Sequence, residues 1–459
     1  MIKMKLVLLS IAATFGLGVQ GLSWVEQAPQ MLDTPSIPEY LSFMDSVYGE
    51  VVQSPQSEEH KRNMLEGGKV QLKNEEEDSI HLKSHPLQTL SDKQLNYAHT
   101  HYLKMQSKVK LPSNDDTSDI LMDQGIFGGI LTYAHLQHFN CFDPELMDDA
   151  DEHKIDIAIV GAPFDTGVSF RPGARFGPEA IRRSARRIGD AHIRSTKKRK
   201  NYPVNPYDET THNYTIVDCG DVSLSPFDNR IALNQLYRGE RAIHRHQGNV
   251  NKIPKIITLG GDHTITLMAL RSVSEQLGKP VHIIHFDSHI DTWDPKVLGG
   301  GITNYMSLNH GTFLHYAHEQ GYIHQGGNFH VGIRAPYIDE VYDGNHDLEC
   351  GFNIISAKDI DKIGVSGIIR KLKDAIKTNP VYISVDIDVL DPATAPGTGT
   401  MEIGGFTGRE LLSILDGLKG IELVGGDVVE VSPPYDTNSE ITSLAATSVV
   451  DSLLRLMVV

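Results

Sequence analysis

Seven short runs rich in β-branched residues recur from Ile155 onward, each separated from the next by a stretch of helical character. They span Ile155 to Gly161, Tyr214 to Asp218, Ile256 to Gly260, Val281 to Asp287, Phe329 to Ile333, Val381 to Asp386 and Leu423 to Val429. Strand-like runs alternating with helical segments predict a parallel α/β sheet. Sheets of this kind carry their sites outside the carboxyl ends of the strands, so the residues just after each run bear the functional information.

Three of the runs end in residues that a buried strand normally excludes. The segments are Leu259-Gly260-Gly261-Asp262-His263-Thr264, His285-Phe286-Asp287-Ser288-His289-Ile290-Asp291 and Ser384-Val385-Asp386-Ile387-Asp388-Val389-Leu390-Asp391-Pro392. Alternation along a strand lets Asp287, His289 and Asp291 project from one side, and Asp386 and Asp388 likewise. Any one of these could be an ordinary polar residue where a strand surfaces. Together they crowd carboxylates that need partners. The aspartates at 287, 291, 386 and 388 and the histidines at 263 and 289 form an oxygen-rich donor set without cysteine, which suits Mn²⁺ better than a structural zinc. The charge of the four acids balances two divalent ions, and a water bridging ions about 3.5–4 Å apart becomes a nucleophile near neutral pH. Metal-assisted hydrolysis is the reaction class these residues predict.

The three segments together resemble the signature motifs of the ureohydrolases, the arginase and agmatinase family, and the resemblance runs from about Gly125 to the C-terminus. It implies a three-layer α/β/α sandwich with a mainly parallel central sheet. It also implies two Mn²⁺ per chain, one on His263, Asp287, Asp291 and Asp386 and the other on Asp287, His289, Asp386 and Asp388. Glu430 matches the family acid that grips the substrate guanidinium, a planar fork that a carboxylate can meet with two parallel hydrogen bonds. His310, in Asn309-His310-Gly311-Thr312, matches the histidine that passes a proton to the departing amine. The segment from Gly161 to Gly167 and on to Pro178 resembles another family motif and lacks the ending of a phosphate-binding loop.

Arginases hold the substrate's α-carboxylate with polar side chains where this chain has Trp293, Met306 and Leu308. The resemblance therefore implies a small cationic guanidine, agmatine first, cleaved to putrescine and urea, with Trp293 beside it. Guanidinobutyrate or another ω-guanidino acid is the alternative, ahead of arginine. A metal-binding pseudoenzyme would show a lost ligand, and none is lost. A single-zinc deacetylase would need fewer ligands. Family members assemble as homo-oligomers, which implies a trimer or hexamer here.

The remaining features set the context. Met1 to Gly21, with Lys3 and Lys5 ahead of a short apolar run, reads as a secretory signal peptide, too short to span a bilayer. Residues 22–120 are rich in Pro, Ser, Gln and acids and read as an extension or propeptide before a catalytic domain at 121–459. A formal net charge of −17 argues against nucleic acid or an anionic membrane as partner, and no membrane association is expected once the leader is removed. The run Lys197-Lys198-Arg199-Lys200 reads as a solvated surface feature. Three cysteines, Cys141, Cys219 and Cys350, allow at most one internal bridge, and Asn213 opens a glycosylation sequon.

Overall fold

In the computed structural model, which describes residues 113–116, 131–143, 146, 154–188, 205–208, 212–298 and 307–458, the β-branched runs line up side by side in one sheet. The leader at Met1 to Gly21, nearly all of the acidic extension, the basic run at 197–200, and loop positions 299–306 with Met306 lie outside the described residues.

The strands are β1 (Gln137–His138), β2 (Ile157–Ala162), β3 (Ile216–Asp221), β4 (Lys255–Gly260), β5 (His282–Phe286), β6 (Asn328–Ile333), β7 (Phe352–Ser356), β8 (Pro380–Asp386) and β9 (Glu422–Val429). They order as β1-β3-β2-β4-β9-β8-β5-β6-β7, and every pairing is parallel. Seven of the nine strands correspond to the runs expected above. Strand β1 is a two-residue edge, and β7 is short, with only Phe352 and Ile355 buried and Asn353 exposed, so neither carries a continuous apolar signal.

The helices are α1 (Gly177–Ser184), α2 (Asn229–Arg245), α3 (Thr266–Leu277), α4 (Phe313–Glu319), α5 (Glu340–Glu349), α6 (Asp359–Ile376), α7 (Gly408–Gly417) and α8 (Ile441–Met457). Their starts are written locally. Pro178 and Glu179 fall in the first turn of α1, Asp228 accepts from the amides of Arg230 and Ile231 to begin α2, and Thr407 with Glu410 forms a capping box on α7.

Two apolar cores flank the sheet, because neighbouring strand residues face opposite ways. Ile283 joins Leu236, Leu270 and Phe313 of α2, α3 and α4, whereas Ile284 joins Ile181, Leu372, Leu415 and Leu453 of α1, α6, α7 and α8. This is the three-layer α/β/α sandwich. Two cross-links secure one flank. Cys141 and Cys219 form a disulfide with their Cα atoms 5.4 Å apart, leaving Cys350 as a buried free thiol. Arg182 of α1 meets Asp218 of β3 with two hydrogen bonds of 2.9 Å and also reaches Asp221. No helix among the described residues is long and apolar enough to cross a membrane.

The chain order positions the site. After β4 the chain skips two places to β5, and β8 and β9 later fill the gap, so the ends of β4, β9, β8 and β5 stand side by side.

Candidate active site

Close backbone contact assembles the ends of β2, β4 and β9. The Gly261 amide donates to the Ala162 carbonyl at 2.9 Å, and its own carbonyl accepts from the Glu430 amide at 2.8 Å. A Cβ at Gly261 would lie 1.8 Å from the Phe164 carbonyl oxygen, so only glycine fits. His263 follows in a short 3-10 turn whose start is capped by Asp262. The other ligand segments depart from the strand alternation expected of them. Strand β5 ends at Phe286, and Asp287, His289 and Asp291 lie in the loop beyond it, with Asp291 in the left-handed region at φ 52°. Asp386 is the last residue of β8, and Asp388 sits in the 3-10 turn that follows, its amide donating to Asp386 Oδ1 at 2.7 Å. Loop geometry, rather than pleating, brings these acids to one side.

His263 Nδ1 stands 3.1 Å from Asp287 Oδ2, 3.1 Å from Asp291 Oδ2 and 3.4 Å from Asp386 Oδ2. Its other nitrogen, Nε2, lies 2.7 Å from Ser384 Oγ, whose hydroxyl donates to Asp427 Oδ1 at 2.6 Å. With that proton committed, Ser384 accepts from Nε2–H, and the Nδ1 lone pair is left facing the three carboxylates. His289 Nδ1 lies 3.1 Å from Asp388 Oδ2 and 3.3 Å from Asp287 Oδ1. Two compact donor groups result, His263, His285, Asp287 and Asp291 in one and Asp287, His289 and Asp388 in the other, each with its donor atoms within 4.8 Å of one another. Asp287 belongs to both, and Asp386 stands alongside.

These residues fit divalent cations. His263 Nδ1, His285 Nε2 and Asp287 Oδ2 are all buried without a hydrogen-bond partner, converging lone pairs that only a cation or proton would satisfy. His285 was not expected in this role, although it stands near the end of β5, two residues before Asp287. Its Nδ1 meets His330 Nδ1 at 2.8 Å, and His330 Nε2 meets Asp347 at 2.9 Å. Burial pushes the His285 pKa down to about 3, so the ring is neutral. If His330 gives its Nε2 proton to Asp347, His285 gives its Nδ1 proton to His330, and its Nε2 lone pair is turned toward Asp287 at 3.0 Å.

Beside the cluster opens a cavity of about 240 Å³, bordered by Asp291, Asp386, His289, His310, Glu402 and the apolar surfaces of Trp293, Leu298 and Ile338. Trp293 lies where expected, its indole N–H held by Asp343 at 3.1 Å. Leu308 does not border the cavity; it is buried in the core with Phe313 and Leu314, so it cannot shape recognition directly. Glu430 has φ 60°, and its Oε1 accepts from the His263 amide at 3.0 Å and meets His310 Nδ1 at 3.1 Å. Its Oε2 is buried and unpartnered. Two influences act on His310 in opposite senses. Burial disfavours its charged form, and the Ser169 amide donates to Nε2 at 3.0 Å, while Glu430, Asp291 and Asp262 raise its pKa to about 9. Asp262, unremarked in its motif, is pushed up to about 7 by burial and the charge of Glu430, and it fastens the Gly167 amide at 2.7 Å.

The family model described as the arginase family matches residues 155–455. The chain belongs to the arginase family. It is 44% identical over 348 residues to the Schizosaccharomyces pombe protein named "Putative agmatinase 1", covering 72% of this chain and 83% of that one. It is 36% identical over 306 residues to a Neisseria gonorrhoeae agmatinase, covering 66% and 88%. Among solved structures, proclavaminate amidino hydrolase from Streptomyces clavuligerus superposes with a TM-score of 0.59 at 34% identity, covering 72% of this chain and 98% of that one. Within the arginase family the likeness is to the agmatinase branch, and the protein is a hydrolase of the ureohydrolase type with a metal-dependent family chemistry.

Proposed function

We propose that this arginase-family enzyme hydrolyses agmatine to putrescine and urea, with two Mn²⁺ held by His263, Asp287, His289, Asp291, Asp386 and Asp388. One observation carries the choice of substrate. Among the described residues, those bordering the cavity include the acids Asp291, Asp386 and Glu402 and no lysine or arginine, and none occurs in the loop sequence from 299 to 306. With Asp291 and Asp386 balanced by the ions, Glu402 is the remaining acid on the cavity wall, so a substrate carboxylate would find no cationic partner there and one like charge, whereas the terminal ammonium of agmatine is complementary to Glu402. This disfavours guanidinobutyrate and arginine alike. The agmatinase names among the relatives support the same reading.

When bound, the two ions supply Lewis-acid polarisation and an activated water. The protein's own groups do the rest. Glu430 Oε2 is free to accept from the guanidinium while Oε1 stays fixed by His263 and His310. His310, poised between the pull of Glu430 and the Ser169 amide, delivers a proton to the leaving amine. Trp293 and Ile338 offer apolar surface to the aliphatic chain.

Side-by-side kinetics of urea release in Mn²⁺ test the proposal. Agmatine is expected to exceed arginine in kcat/KM by at least about a hundredfold, the cost of burying an unpaired carboxylate. Glu402→Gln should raise the KM for agmatine and narrow that gap. Arginine equal to or better than agmatine would overturn the substrate assignment.

A further inference from the structure

Away from the catalytic cluster, on the far side of the Asp291–Trp293 segment, three more donor atoms converge. His315 on α4 points Nδ1 at His346 Nε2 on α5, 3.0 Å away, and the Cys350 thiol just past α5 lies 3.7 Å from that same Nε2. The three donor atoms are all within 4.8 Å of one another. Two imidazole nitrogens and a sulfur facing one small volume form a soft donor set, quite unlike the carboxylates of the catalytic cluster.

The spacing is that of a metal site. With Zn–N near 2.05 Å and Zn–S near 2.3 Å, a tetrahedral ion holds its nitrogens about 3.3 Å apart and nitrogen to sulfur about 3.6 Å apart. The observed 3.0 and 3.7 Å lie within a few tenths of an ångström of these, and the third pair, His315 Nδ1 and Cys350 Sγ, lies within 4.8 Å and would close as the thiolate bonds the ion. His346 and Cys350 are four apart in sequence, so α5 presents both on one face, and His315 completes the group from a facing helix. The outer nitrogen of His346, Nδ1, has the exposed Glu349 carboxylate nearby at 3.9 Å, within the reach of a side-chain rotation.

We propose that His315, His346 and Cys350 bind one Zn²⁺, with solvent in the fourth position, at a site separate from the catalytic ions. In the free protein His315 Nδ1 and His346 Nε2 share a hydrogen bond, so on binding the proton between them passes to an outer ring nitrogen and both lone pairs turn to the ion. Burial keeps the Cys350 thiol protonated in the free protein, and binding releases that proton to solvent as the thiolate bonds the ion.

The site would tie together the two helices that bracket the catalytic loop. Asp343 and Asp347 of α5 hold Trp293 and Thr292, and the Leu314 amide of α4 donates to the Asp291 carbonyl at 3.1 Å. An ion spanning α4 and α5 therefore clamps the segment that carries Asp291.

Cobalt titration of the purified full chain decides it. Cys141 and Cys219 are paired and the catalytic cluster contains no sulfur, so a near-ultraviolet thiolate-to-cobalt band can arise from Cys350 alone. The expected result is one equivalent of that band, displaced by Zn²⁺, and abolished in Cys350→Ala and in His346→Gln. Zn²⁺ affinity at this site should fall at least about a hundredfold in both variants, while Mn²⁺ content at the catalytic centre is kept. Absence of the band in the wild-type protein would overturn the proposal, as would equal Zn²⁺ stoichiometry in wild type and Cys350→Ala. Far-ultraviolet circular dichroism of each variant distinguishes lost ligation from lost folding, and a folded Cys350→Ala that retains the band also overturns it.

Discussion

Glu430 and Asp291 share a feature that packing alone does not require. Both are non-glycine residues in the left-handed region, at φ 60° and 52°, a conformation that costs on the order of 1–3 kcal/mol and persists where the surroundings impose it. For Glu430 those surroundings are the Gly261 carbonyl, which takes its amide proton, and the His263 amide and His310 ring, which fix Oε1. The result is a carboxylate with one oxygen committed and the other unspent. Glu430→Gln removes the charge and keeps the shape, so urea release from agmatine should fall at least about a hundredfold in kcat/KM with metal content unchanged. Kinetics beside metal analysis of the same preparation check this. A parallel loss of metal would make Glu430 a support for the His263 turn rather than a partner of substrate.

At the level of elements, the sheet delivers the site because β4, β9, β8 and β5 end together, and the helices behind them carry their own buried charges. Glu240 on α2 packs against β4, accepting from Thr258 Oγ1 at 3.0 Å. Burial, only partly offset by that hydrogen bond and reinforced by Asp427, raises its pKa to about 8. The folded chain therefore holds a proton that the unfolded chain loses near its ordinary value of 4.5. Stability tied to this group is complete below that value and drains away as pH rises toward 8, by an amount on the order of a few kcal/mol. Glu240→Gln, which keeps the acceptor for Thr258, should match the wild type in urea denaturation near pH 5 and exceed it near pH 9. Identical pH profiles for the two proteins would mean that Glu240 is ionised in the fold.

For the whole molecule, arginines of α2 join the catalytic domain to the described residues that precede it. Arg241 donates to Asp115 at 3.1 Å, and buried Arg238 reaches the Asp116 carbonyl, so the end of the acidic extension docks on α2. A chain starting near Ser118 should still bind metal, since every ligand lies downstream, but should melt below one starting at Leu111. Failure of the shorter chain to fold would show that the extension belongs to the domain. The Cys141–Cys219 disulfide closes a loop of 78 residues, and its removal by Cys141→Ala should cost about 4 kcal/mol in reversible denaturation. No change would mean that the bridge is not formed in solution. A disulfide is at home in an oxidising compartment, which together with Met1 to Gly21 supports our proposal that the chain is exported with its mature end near Leu22. Terminal sequencing of exported protein tests that directly.

Seven strands were legible without the fold, because continuous β-branched runs mark strands buried on two faces, and acids placed straight after such runs, which must have partners, pointed to the proposed ligands apart from His285. The sequence also located His310 and Glu430, through motif resemblance. What it could not provide are relations across the chain. The placement of β8 and β9 between β4 and β5 depends on packing remote segments. So does the chain of hydrogen bonds from Asp347 through His330 that turns the His285 lone pair onto Asp287. Strand alternation is not what gathers the proposed ligands, since Asp291 and Asp388 reach the cluster through a left-handed residue and a 3-10 turn. The pairing of Cys141 with Cys219, the withdrawal of Leu308 into the core and the meeting of His315 with His346 and Cys350 were likewise decided only in three dimensions, where distance in sequence no longer limits which side chains meet.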